Sequence, residues 1–382
     1  MLNLLNPYQS QGSGALYKVL PILRRSGGRG GATAKPWHGI LKAAALLLCL
    51  ALHGQSFAAT FSCTPSASAL NFTVPTGTYG VPRDTPVGTR ITPFTALQKT
   101  YPTEWTCDLL QPYVYFGVAY HSTLASAGMT YSEGGINYTV YQTNVAGVGL
   151  IIGAASALPG SGWTSPRNAP AAWEVWTVWT NSGTASGVRF GIGFTFAYVK
   201  TGPIQGGTVS LAGTIAEAGM AQQYQASNAT SVVPVVVTGN ATFAELACKT
   251  PDVTVNLGTH QNKEFAGPGT YTSSTGFNIA LNNCPAGMNS VNYRIDAVTP
   301  VLDAANSVVS LDASSTAAGI GVQLLDSSGN VFPLGTTKVL SDYSGSTGGS
   351  YVIPLKARYY QTGSTVTAGA ANSGMTFTMT YQ

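Results

Sequence analysis

An all-β protein made of two β-sandwich domains is predicted by three observations: a composition poor in charge, cysteines that fall into two separated pairs, and short apolar runs spaced like strands. Only 8% of the 382 residues are charged, while 45 are Gly and 19 are Tyr. That balance favours many strands joined by turns over amphipathic helices. The length allows two domains of ordinary size.

Residues 1–58 read as a leader and are set apart first. Lys18, Arg24, Arg25, Arg29, Lys35 and Lys42 precede the apolar run AAALLLCLAL, which ends in HGQSFA. A basic stretch, a short apolar stretch and small residues in that order form a secretory signal, here an extended one, with a cut expected after Ala58. Ten apolar residues are too few for a stable bilayer span. Cys49 lies inside the run and matches lipid-attachment signals poorly. Without the leader, 12 of the 18 basic groups face all 14 acids, so the remainder is slightly acidic. No basic face for nucleic acid is expected.

Cys63, Cys107, Cys248 and Cys284 remain, and four cysteines in an exported chain suggest two disulfides with three connectivities open. Their order favours Cys63–Cys107 and Cys248–Cys284, each closing a loop within one half. Each would contribute roughly 3 to 4 kcal/mol by loop entropy. Between the pairs, residues 221–233 are rich in Ala, Gln, Ser and Asn and read as a linker. The first domain is then 59–220 and the second 234–382.

In the second domain VTVNLG (253–258), FNIALNNC, YRIDAV, GVQLLD, VFPL (331–334), YVIPLKARYY and the terminal GMTFTMTYQ read as seven strands, with SSGN as a tight turn. That number and spacing suggest an immunoglobulin-like sandwich. In the first domain NYTVYQTNV, GVGLIIGA, EVWTVWT, VRFGIGFTFAYVK and GTVSLAG read as strands of a sandwich or distorted barrel.

Signs of catalysis are sparse. Only His121 and His260 survive processing, one in each domain, and neither H-E-x-x-H nor G-x-S-x-G occurs. GVGLIIG has the wrong spacing for a dinucleotide loop. Glu104, Asp108, Glu133 and Glu174 could supply a glycosidase carboxylate pair only if two converge, and solvated carboxylates are the ordinary alternative. No catalytic, cofactor or metal residue is therefore assigned, and no enzyme activity is expected. Tryptophans are more informative, because flat rings stack on sugars or fill partner pockets. Trp163, in a Gly/Pro/Ser loop, and Trp173, Trp176 and Trp179 are receptor-binding candidates. Core packing is the competing role for the last three, since WEVWTVW carries apolar residues on both faces of a strand.

Cys248 followed by VTVNLG, Cys284 after FNIALNN, GIGVQLLDSSGNVFPLG and ARYYQTGSTVTAGAANSGMTFTMTYQ together resemble the pilin domain of chaperone–usher fimbriae. The resemblance implies an immunoglobulin-like fold lacking its last strand, with an apolar groove filled first by a periplasmic chaperone and later by a strand from the adjacent fimbrial subunit. Met375, Phe377, Met379 and Tyr381 would line that groove and meet the chaperone. Strand addition draws affinity from backbone bonds and register from alternate side chains.

A pilin domain preceded by some 160 residues differs from the plan of a shaft subunit and resembles a two-domain tip adhesin. AYVKTGPIQGGTV (197–209) is similar to the closing strands of receptor domains in type 3-like fimbriae. The resemblance implies export through the periplasm and the outer-membrane usher to the fimbrial tip, with a host glycan or extracellular-matrix receptor for the first domain. A non-adhesive tip-initiating or minor structural subunit is the alternative.

Overall fold

Two long, largely apolar strands organise the first half of the computed structural model, which describes residues 60–382. Val148–Leu158 is buried along nearly all of its length and Ala185–Lys200 from Phe190 onward. Such strands must lie centrally, because both of their faces need cover. Antiparallel neighbours complete the sheet in the order Phe61–Pro65, Gln98–Leu109, Ala185–Lys200, Val148–Leu158, Ile136–Gln142, Ser126–Glu133. A second sheet faces it, running Glu174–Val175, Phe116–Ser122, Thr214–Gln222, Thr230–Thr238, Leu70–Thr73. Trp105, Phe116, Phe190, Phe194 and Phe196 fill the space between them and are fully buried. The Trp105 indole N–H donates to the Ser231 carbonyl at 2.8 Å, so its one polar atom is satisfied.

A third, small sheet leads out of this half. Ala241–Leu246 pairs antiparallel with Gly207–Val209 and parallel with Gly77–Pro82. The second half then forms a five-stranded sheet, Thr275–Cys284, Gly349–Gln361, Ile320–Asp326, Val308–Val309, Val301–Asp303, and a three-stranded one, Lys338–Val339, Val291–Ala297, Met375–Tyr381. Leu281, Val291, Leu324, Phe332 and Tyr381 are among the side chains buried between them. No α-helix occurs among the described residues, only two short 3-10 turns. The protein is all-β, with sheets packed face to face in both halves.

The sulfurs of Cys63 and Cys107 are bonded at 2.03 Å across directly facing residues of neighbouring strands, and those of Cys248 and Cys284 at 2.06 Å. Residues 221–233, read from composition as a linker, do not run free. They include the end of Thr214–Gln222 and the start of Thr230–Thr238, and Val233 and Val235 are buried in the first core. Polar residues face out on these strands while alternate valines face in, which average composition conceals. Three expected strands are also absent or reduced. Residues 253–258 join no ladder, 331–334 keep one bridge at Val331, and the Trp173–Trp179 segment keeps Glu174–Val175 and one bridge at Trp179. The expected leader lies outside the described residues.

Candidate functional site: an open groove and an aromatic face

The terminal strand alternates Met375, Phe377, Met379 and Tyr381 against Thr376, Thr378 and Thr380. Its register sets Phe377 opposite Ile295 and Tyr381 opposite Val291. Only that one edge is laddered; among the described residues no strand pairs with the other. Across from the open edge runs the unpaired 252–257 segment, where Val253, Val255 and Leu257 are half-buried and Thr254 and Asn256 exposed. An apolar groove of about 520 Å³ separates the two, with Phe277, Ile279 and Leu324 lining its base and Met375 and Phe377 along one side. The segment alternates as a strand does but has no backbone beside it, so the pattern is strand-like and the ladder is missing. What the groove offers is a row of unpaired backbone groups beside apolar pockets, the geometry for receiving an extended chain.

Two residues expected in the groove are not there. Met379 and Tyr381 are 5% and 0% exposed and pack into the core of the second half. The Tyr381 hydroxyl donates to the Cys248 carbonyl at 3.3 Å, and the Arg83 guanidinium lies 4.6 Å from its ring centre. Burial pushes this phenol up, against the opposing pull of the Arg83 charge. The strand thus leaves the groove at its C-terminal end and passes beneath the disulfide and the first half. Period-2 patterning assigns a face but not a depth along it.

Arg83 and Asp84, for which the sequence carries no signal, meet the strand there, and Lys200 donates to the Pro82 and Arg83 carbonyls behind them. Arg83 donates to the Met379 carbonyl, and Asp84 accepts from the Tyr381 N–H at 2.8 Å. Burial alone would raise the Asp84 carboxyl, but its bonds from Arg83 and Tyr381 and the charges of Arg83 and Lys200 hold it below the usual carboxylate range. Some 296 residues of chain separate Arg83 from Met379, so no local signal could have announced the contact.

The tryptophans of the first half separate into distinct environments. Trp179 stands edge-on to both Phe116 and Phe190 at 6.0 Å and belongs to the core wall. Trp173 lies 4.3 Å from the His121 ring, whose nitrogens sit 3.1 Å from Glu217 and 3.3 Å from the Ala171 carbonyl. Trp176 is 40% exposed with the Arg167 guanidinium 5.0 Å from its ring. Trp163 is half-buried elsewhere, beside Gly193 and with Lys99 at 5.7 Å. The Trp173–Trp179 segment presses onto the sheet at Gly117, where a Cβ would meet the Thr177 carbonyl at 2.2 Å. That close approach replaces the regular strand expected from the apolar pattern.

The four carboxylates considered for hydrolysis have separate partners. Glu104 is buried and accepts from the Ser66 hydroxyl and the Ala67 N–H, both at 2.9 Å. Asp108 accepts from the Ser186 hydroxyl and Gly187 N–H, which lower its pKa. Glu133 pairs with Arg90 at 3.2 Å, and Glu174 lies in the short strand beside Tyr120.

Residues 236–382 match the family model described as fimbrial protein. Within that part, the type-1 fimbrial protein A chain of Escherichia coli K12 is 35% identical over 134 residues, covering 34% of this chain and 72% of that one. The chain belongs to the fimbrial protein family. The fimbrial subunit type 1 of Salmonella typhimurium is 33% identical, over 36% of this fimbrial protein and 75% of its own length. Among solved structures, the CupB6 tip adhesin of Pseudomonas aeruginosa is 15% identical, covers 84% of this chain and 92% of its own, and superposes with a TM-score of 0.30. The receptor-binding domain of the Klebsiella pneumoniae adhesin MrkD1P is 20% identical over 51% of this chain and 99% of its own, with a TM-score of 0.26. As a fimbrial subunit it is a surface-exported component of a pilus.

Proposed function

We propose that this fimbrial protein is a tip adhesin whose second half accepts a strand while its first half binds a receptor. The observation that carries the reading is the groove between residues 252–257 and the open edge of Met375–Tyr381. It lies within an otherwise paired sandwich, and its backbone and apolar vacancies are those of one missing strand. Burying three or four apolar side chains there would contribute on the order of 5 to 10 kcal/mol before ordering costs. Such an edge would aggregate if left bare, and covering it is the task of a periplasmic chaperone before the adjacent subunit takes its place at the usher.

The first half supports acceptance without donation. Phe61–Pro65 is laddered to Gln98–Leu109 and tied to it by Cys63–Cys107, so with a cut after Ala58 this strand is not free to enter another subunit. Adhesion falls to the exposed Trp176, with the half-buried Trp173 and Trp163 as separate candidates, acting on a host glycan or matrix protein. Residues 59–246, which include the strands packed into the first core, are the fragment to test on a glycan and matrix-protein array. Saturable binding weakened at least about tenfold by Trp176→Ala is the expected result. Fibres that adhere equally well without this half would overturn it in favour of a capping subunit.

A further inference from the structure

The edge of Met375–Tyr381 is not open along its full length. In antiparallel pairing the N–H and C=O of successive residues point to opposite sides of a strand. Gln382 donates to the Ser290 carbonyl, which turns the even-numbered residues toward Val291–Ala297. Met375, Phe377, Met379 and Tyr381 therefore present their backbone groups to the other side, the side of the groove. At Met375 and Phe377 that side is clear for a partner. At the far end the Met379 carbonyl and the Tyr381 N–H are already taken by Arg83 and Asp84.

The carbonyl of one residue and the N–H of the residue two further on are the pair that a single residue of an adjoining parallel strand would engage. Here two side chains supply that donor and acceptor. They are joined to each other by two hydrogen bonds of 3.1 Å, and their backbone is fastened to the first half. The Arg83 N–H donates to the Leu246 carbonyl at 3.0 Å, and Lys200, 3% exposed, donates to the Arg83 carbonyl at 2.6 Å. Arg83 and Asp84 keep 41% and 31% of their side-chain surface exposed, but these bonds hold them as an abutment against the strand.

We infer that the Arg83–Asp84 pair closes the last rung of the strand-accepting edge, so that the strand donated by a neighbouring fimbrial subunit ends its pairing at Met379. The first half thereby sets the length of occupant that the second half accepts. This rests on the proposed reading of the groove as a strand acceptor. Phe61–Pro65 is not a candidate for the occupant, since it is bound within the first sheet.

The test uses the full mature chain and synthetic peptides of alternating Val and Thr with Lys at both ends. One is about nine residues long, and two are extended by about four residues at one end or the other. Wild type is expected to bind all three within about twofold, whereas Asp84→Ala and Arg83→Gln favour one extended peptide at least about tenfold. Wild type preferring an extended peptide that strongly, or variants binding all three alike, would overturn the inference. Failure of every peptide to bind would instead sink the groove reading.

The abutment has its own readout, needing neither peptide nor variant. Without any donor, amide exchange at Tyr381 should be at least about tenfold slower than at Phe377, though both face away from Val291–Ala297. Equal exchange at the two positions would show that the rung is open.

Discussion

Both halves are sandwiches with one disulfide each, yet they spend their aromatic side chains differently. In the first, Phe190, Phe194 and Phe196 sit with no exposure between two sheets that cover each other. In the second, Phe277 and Phe377 stand half-buried along a groove, and the adjoining segment has no ladder. A closed sandwich completes its folding energetics internally, whereas an open one leaves part of its apolar burial to another chain. Under the proposed reading, the contrast would place strand acceptance in the second half and leave the surface of the first for binding.

The largest effect that would break this comparison is a core deletion in the first half. Phe194→Ala should lower its stability by about 3 to 5 kcal/mol, read by denaturant unfolding. Phe277→Ala in the groove should cost far less in the absence of a donor strand; equal losses would mean that the groove is already filled and packed.

Removing either disulfide comes next. The closed loops span 44 and 36 residues, so chain entropy predicts nearly equal losses of about 4 kcal/mol. A much larger loss at Cys248–Cys284 would indicate that this bond also supports Tyr381, whose hydroxyl meets the Cys248 carbonyl.

Phe377→Asp and Tyr381→Asp sharpen the division within one strand. The first should abolish strand capture while circular dichroism of the chain stays native. The second places a carboxylate in the core and should unfold the second half. Indistinguishable behaviour would contradict the different depths of these two side chains.

A smaller effect follows acidity. Asp84 has a lowered folded-state pKa, so its contribution is fully present above the ordinary Asp value and is lost as pH falls through the folded one. Arg83 and Lys200 stay charged throughout that window, leaving carboxylate protonation as the event. Amide protection at Tyr381, corrected for intrinsic exchange, should decline below the ordinary range in wild type and show no such step in Asp84→Ala.

Much of this architecture was legible in the sequence, and the misses have identifiable causes. Val148–Leu158 and the Phe190–Val199 part of Ala185–Lys200 are readable because long, nearly all-apolar stretches of strand need cover on both faces. Residues 253–258 alternate as clearly as any strand, but a ladder needs a second backbone, which a single sequence cannot report. Trp173–Trp179 failed in the opposite sense: its apolar faces suggested a central strand, while contact at Gly117 bends it into an irregular segment with Trp176 outside. In residues 221–233 average composition hides Ala221 and Val233, both buried, among polar neighbours. The Arg83–Asp84 contact depends on the juxtaposition of the two halves, for which neither periodicity nor motif exists.

The parallel pairing of Ala241–Leu246 with Gly77–Pro82 has a mechanical consequence. Six facing residue pairs join these strands where the chain passes from one half to the other. In a fibre under tension, a pull transmitted through Cys248 reaches the first half lengthwise along that strand. The rungs would then share the load in shear and not open singly from one end, so the joint between the two halves would resist extension as a unit.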